Sequence, residues 1–169
     1  GDRIRLPPVR ASDGPGESPA VPEWAVQRLS HAFAYSDAEL AVLNKPAGLA
    51  VHGGSGLPFG IIEALGQGWP GIEWGLAHRL DRWTSGCLVV GKRGGVTRAL
   101  QQAFAGPDIT KAYLVLVAGE WVGGAREIAE PLGRGPRVQG KRITVVDREG
   151  GREAHTVFKP LRHLPGFTL

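Results

Sequence analysis

The stretch HRLDRWTSGCLVVGK, residues 78–92, joins a charged turn to an apolar strand. Asp81 sits in it between two guanidinium groups, those of Arg79 and Arg82. Opposite charges within a few ångströms favour the ionised form of a carboxylate. Such a group serves either as a salt-bridge partner or as a nucleophile held ready, and the charge pattern leaves both open. Thr84, Ser85 and Gly86 follow with turn chemistry: their side-chain oxygens suit local N–H groups, a structural support for Asp81. The run CLVVGK, residues 87–92, reads as a continuous apolar strand with Cys87 as a buried structural thiol.

Outward from this strand the pattern mixes helices and strands. ELAVLNKPAG, residues 39–48, is a short apolar strand stopped by Pro46 and Gly48. GIIEALGQGW, residues 60–69, is a weak helix, and GGVTRALQQAFAG, residues 94–106, has helical spacing at Val96, Leu100, Ala103 and Phe104. KAYLVLVAGEW, residues 111–121, is rich in β-branched and aromatic residues and reads as a strand. RITVVDREGGREAHTVFKPL, residues 142–161, reads as two strands around a turn at REGG. The expected class is α+β, a mixed and largely antiparallel sheet with flanking helices. Upstream, GDRIRLPPV (residues 1–9) alternates like a last strand, and RASDGPGESPAVP (residues 10–22) has linker composition. Residues 1–22 thus read as the end of an upstream module plus a tether, with the globular body over 23–169.

The chain has 169 residues, 42% hydrophobic and 21% charged, enough to bury a core and too apolar for a disordered protein. No apolar run approaches the roughly 18 residues of a membrane span. A single cysteine excludes an internal disulfide framework, so a reducing cytoplasm is the expected compartment. Charge is divided unevenly. Through Ala77 there are 5 Lys/Arg against 8 Asp/Glu, and from His78 on there are 15 against 8. The basic second half fits a polyanionic partner.

Several chemistries can be set aside. The five histidines, His31, His52, His78, His155 and His163, are scattered and form no ligand pair at zinc spacing, so no metal is expected. HGGSGLPFG, residues 52–60, lacks the Gly-Lys-Ser/Thr ending of a nucleotide loop. It reads as a flexible loop beside a site, with anion binding through backbone N–H groups as the alternative. Ser85, His78 and Asp81 lie too close in sequence for a catalytic triad, and no nucleophile elbow is present. Lys45 and Lys92 are left as either phosphate contacts or solvated side chains.

The quoted stretch resembles the signature of the RluA-type RNA pseudouridine synthases: His-Arg-Leu-Asp, a variable pair, Thr-Ser-Gly, then an apolar strand ending in Lys. LNKPAGLAVHGGSG (residues 43–56) is similar to the family's upstream strand and loop, and KAYLVLVAGEW to its downstream Lys-x-Tyr strand. GDRIRLPPV is similar to the end of the small RNA-binding domain carried by the branch that modifies large-subunit ribosomal RNA. The resemblance covers nearly the whole chain. It implies the pseudouridine synthase fold and the isomerisation of uridine to pseudouridine, without cofactor or metal. The implied partner is RNA, large-subunit ribosomal RNA above all, and the implied protein is a cytoplasmic monomer.

By the same resemblance Asp81 is the catalytic carboxylate, attacking the anomeric carbon, assisting deprotonation of the sugar, or attacking the ring. Arg79 is implied to fill the place of the extruded base, a role its stacking guanidinium plane suits. Tyr113 is implied to pack against the target base. Two departures stand out. Trp83 occupies a variable position where a smaller or polar residue is usual, and it either stacks on RNA or packs locally. The family's later Gly-Arg-x-His-Gln-Ile-Arg segment, implied to pair an Arg with the catalytic Asp, is expected soon after GFTL (residues 166–169), so the catalytic domain is read as incomplete at its C-terminus, and these 169 residues alone are expected to bind RNA weakly and to show little or no activity. The rival readings are a non-catalytic RNA-binding module of the same fold and a carboxylate-dependent glycosidase. The second requires a pair of carboxylates flanking the scissile bond, and only Asp81 stands in a motif.

Overall fold

The computed structural model describes residues 20–54, 56–138 and 141–169. The strand and most of the linker read within residues 1–22 lie outside these. The chain divides into two compact units, which meet in sequence between Thr110 and Lys111.

In the first unit the elements run α1 (Glu23–Ser30), β1 (Phe33–Ser36), β2 (Leu40–Lys45), α2 (Ile61–Gly68), β3 (Gly75–Leu76), β4 (Gly86–Gly91) and α3 (Gly94–Ala105). The four strands form one antiparallel sheet in the order β1-β2-β4-β3. β2 and β4 are its centre, in register from Leu40 opposite Gly91 to Lys45 opposite Gly86. Side chains alternate across a strand. Ala41, Leu43, Leu88 and Val90 therefore share one face, where Ala25 and Leu29 of α1 and Ile61, Ala64 and Leu65 of α2 complete the core. The helices approach closely because Gly68 has no side chain: a Cβ there would stand 2.6 Å from Val26 Cγ1.

Helix α3 lies on the opposite face. A Cβ on Gly91 would stand 2.9 Å from the Cα and backbone N of Thr97, so the helix seats directly on the strand backbone. No residue of α3 is buried, and Ala103 of its expected apolar stripe is exposed. This bare face corrects the reading of Cys87. Residue 87 alternates away from Leu88 and the core, and its thiol side is exposed. The continuous apolar run suggested a strand buried on both sides, but one face of β4 is covered only partly.

The second unit carries β5 (Val117–Ala118), β6 (Arg126–Ala129), β7 (Leu132–Val138), β8 (Lys141–Val146), β9 (His155–Phe158), β10 (His163–Leu164) and β11 (Phe167–Thr168). They pair antiparallel as β10-β11-β5, β6-β9 and β7-β8. The turn at residues 147–150 is made by Asp147, whose Oδ1 accepts the N–H groups of Glu149 and Gly150 at 3.2 and 3.0 Å. The two strands flanking it form as expected, but each pairs elsewhere, β8 with β7 and β9 with β6. Thr168 is the buried residue of this unit among the described residues. Its hydroxyl donates to Gly119 O and accepts from Trp121 N–H, both at 3.0 Å.

The strand expected over residues 111–121 shrinks to Val117–Ala118. Residues 111–116 join no sheet among the described residues, and Leu114 is 77% exposed. β-branched and aromatic composition gives a strand only where a neighbouring strand supplies the ladder and the packing surface. Here β11 reaches only Val117 and Ala118 of the run.

Candidate active site

Asp81 lies on the loop that joins β3 to β4, and this loop is fixed from both ends. Upstream, Ala77 is buried and its N–H donates to Val89 O at 3.3 Å. His78 Nε2 accepts the Val89 N–H at 3.1 Å, and the imidazole stacks on Phe104 of α3 with centroids 4.2 Å apart. Leu80 packs against the core, which turns its neighbours Arg79 and Asp81 outward to solvent. The alternation is a consequence of one apolar anchor between two charges. Thr84 N–H then closes the turn on Asp81 O at 3.1 Å.

Downstream, the anchor is Lys45, the last residue of β2. Its side chain is fully buried, and Nζ donates to the carbonyls of Arg82, Leu49 and Pro46 at 3.0, 2.8 and 3.1 Å. Three carbonyl dipoles satisfy the three donors of an ammonium group. Burial lowers its pKa from the usual lysine range, while the charge of Asp81 acts in the opposite direction. The two roles left open for Lys45, phosphate contact and solvation, are both replaced by this third one. Lys92 is likewise engaged: Nζ donates to Ser36 Oγ at 2.7 Å and to Asp37 O, and it lies 5.8 Å from the Trp74 ring centroid.

A second tie runs between the same two loops. Gly48 N–H donates to Arg82 O at 2.9 Å, and Arg82 Nε donates to Gly48 O at 2.8 Å. Gly48 makes this possible with a φ of +93°, a conformation that a side chain would strain. The Arg82 side chain is thereby engaged by Gly48. Among the described residues neither Arg82 nor Arg79 forms an ion pair with Asp81. The salt-bridge alternative for Asp81 therefore loses its partners. Its carboxylate is exposed on a rigidly held turn.

Tyr113 belongs to the second unit, where it is 60% exposed. It lines a cavity of about 420 Å³ together with Val115, Trp121, Val157, Phe158 and Leu161. Among the described residues no cluster of three or more His, Cys, Asp or Glu side chains is placed to hold a metal ion. No helix among them is long and apolar enough to cross a membrane. The glycine-rich loop at 52–60 does gather backbone N–H groups around an anion, and the anion is its own Glu63. That carboxylate accepts from Gly53 N–H at 3.1 Å and from Gly60 N–H at 2.7 Å, capping α2.

A family model described as RNA pseudouridylate synthase matches residues 39–168. The chain is 40% identical over 160 residues to the ribosomal large subunit pseudouridine synthase C of Escherichia coli K12, covering 94% of this chain and 50% of that protein. It is 40% identical over 150 residues to the protein of the same name from Pasteurella multocida, covering 88% of this chain and 46% of the relative. The chain thus spans about half the length of the curated relatives it matches. In fold it is similar to human RNA Pseudouridylate Synthase Domain Containing 4, with a TM-score of 0.68 at 22% identity over 85% of this chain and 58% of the other. Human RNA Pseudouridylate Synthase Domain Containing 1 gives a TM-score of 0.64 at 22% identity, over 78% and 52% of the two chains. The chain belongs to the RNA pseudouridylate synthase family.

Proposed function

We propose that the protein isomerises uridine to pseudouridine in large-subunit ribosomal RNA, with Asp81 as the catalytic carboxylate. The observation that carries this reading is the state of Asp81: an exposed carboxylate with no ion-pair partner among the described residues, on a loop whose backbone is held by His78, Lys45 and Gly48. A structural acid would be spent on a partner. This one is held in place near the charge of Lys45 and is open to solvent.

The reaction breaks the bond from the anomeric carbon to N1 and forms one from the same carbon to C5. A proton leaves C5 and N1 gains one, so atoms balance without a redox partner. The carboxylate serves either as nucleophile or as base, and both roles require its ionised form. The target base must first leave its stack, at a cost of a few kcal/mol. Arg79, exposed two residues before Asp81, is the residue assigned to the vacated place. Tyr113 is assigned to stack on the target base. Residues 23–169 are assigned to the catalytic region, working as a monomer where ribosomal RNA is found, in the cytoplasm.

The test is incubation of a protein of the relatives' full length that carries these residues with large-subunit ribosomal RNA transcripts, followed by carbodiimide labelling and primer extension. The expected result is a pseudouridine stop produced by wild-type protein and absent with Asp81→Asn. RNA binding without any product from the wild type would favour the non-catalytic module instead.

A further inference from the structure

Trp83 is the most exposed tryptophan of the described residues, with 73% of its surface open to solvent, and it lies two positions from Asp81. Single exposed apolar residues are common and call for no explanation. The way this one is held is less ordinary. Its Cζ3 atom lies 3.4 Å from where a Cβ on Gly48 would stand, and the Arg82 guanidinium carbon is 5.2 Å from its ring centroid. Both supports are themselves fixed, because Gly48 and Arg82 are joined by reciprocal hydrogen bonds at 2.9 and 2.8 Å, with Lys45 on the same Arg82 carbonyl. The indole is therefore propped by a hydrogen-bonded loop pair instead of being sunk into the core. An aromatic surface pre-organised in this way loses little conformational entropy on binding a ligand.

The chemistry it offers is that of a stacking platform. An indole presents a π-face to any base, and a neighbouring guanidinium suits the phosphate that follows. We propose that Trp83 stacks on an unpaired nucleobase flanking the target uridine and thereby keeps the RNA open while Asp81 acts. This inference rests on the proposed function. It adds a contact at a position where the family signature is variable, so it belongs to this chain's own RNA preference. The role is one of binding, since the ring touches substrate and no reacting atom.

The experiment measures binding of single-stranded uridine-containing oligonucleotides to the protein and to its Trp83→Ala and Trp83→Tyr variants. Each is titrated by fluorescence anisotropy, with one oligonucleotide intact and another carrying abasic residues on both sides of the target uridine. The expected result is a loss of about tenfold in affinity for Trp83→Ala on the intact oligonucleotide, near-complete rescue by Trp83→Tyr, and no difference among the three proteins on the abasic one. Thermal melting of the variants should match the wild type, because the side chain contributes little buried area. Equal affinities of wild type and Trp83→Ala for intact RNA would overturn the inference. So would an equal loss on both oligonucleotides, which would make Trp83 a backbone contact or a loop support. Pseudouridine formation is followed in parallel. Product formed by wild type with no effect of Trp83→Ala removes only the stacking role, whereas an absence of both binding and product removes the proposed function with it.

Discussion

The ammonium nitrogen of Lys45 lies 3.0 Å from the carbonyl oxygen of Arg82, the residue directly after Asp81. A fully buried cation thus holds the turn that presents the carboxylate, through a backbone atom and not through the acid itself. Removing the side chain would take the ammonium from three carbonyls, of which that of Arg82 keeps the Gly48 N–H, and leave a void behind β2. Lys45→Ala is expected to lower unfolding free energy by about 2–4 kcal/mol in urea titrations. Pseudouridine formation should fall as well, because the turn loses its anchor. A variant with wild-type stability would show that water replaces the ammonium at no cost.

Arg79→Ala separates base replacement from simple electrostatics. If its guanidinium fills the place of the extruded base, the loss of turnover should be at least about tenfold larger on a folded stem-loop than on an unstructured oligonucleotide. The comparison is of kcat/KM on the two RNAs at one salt concentration. Equal losses would leave Arg79 as a phosphate contact.

Tyr35 and Asp37 make a local titrating pair at the turn from β1 to β2. The hydroxyl of Tyr35 donates to Asp37 Oδ2 at 2.8 Å, and this bond, then the carboxylate charge, raises the tyrosine pKa. The acid is shifted down, first by the Leu40 N–H and then by Tyr35. A raised tyrosine pKa means that the folded state holds the proton more tightly than the unfolded one. The stabilisation is complete below the usual tyrosine value of about 10 and disappears as pH rises through the raised value. For Asp37 the sign is opposite: its contribution is complete above about 4 and is lost as pH falls through the lowered value. Tyrosinate absorbance in a Tyr113→Phe background, which leaves Tyr35 as the one tyrosine, should show a midpoint above the usual value. Asp37→Asn should bring that midpoint down.

The elements around the motif were legible because their signals are local. Pro46 and Gly48 end β2, the Thr-Ser-Gly turn opens β4, and the spacing of Val96, Leu100 and Phe104 marks α3. What stayed hidden depends on partners distant in sequence. Residues 111–116 have strand composition but join no sheet among the described residues, and α1, β1, β6 and β7 are too short or too polar to announce themselves. For α1 one signal was present: Ala25 and Leu29, four residues apart, are the buried pair of that helix. Within the candidate site, Asp81 and Arg79 could be proposed from the motif, but the role of Lys45 could not. A lysine next to a proline reads as a surface residue until the fold shows three carbonyls converging on its ammonium. The exposure of Cys87 was hidden for the complementary reason, since apolar composition does not say which face of a strand is covered.

Asp81→Asn tests the central claim most directly, because asparagine keeps the shape of the side chain and removes only its charge and basicity. The measurement is single-turnover pseudouridine formation on a ribosomal RNA stem-loop, with affinity for the same RNA determined in parallel. Turnover should fall by about 10⁴-fold or more, while the dissociation constant stays within about threefold of wild type. Turnover within about tenfold of wild type would contradict a catalytic role for Asp81, and would return it to the surface of the protein as an ordinary unpaired acid.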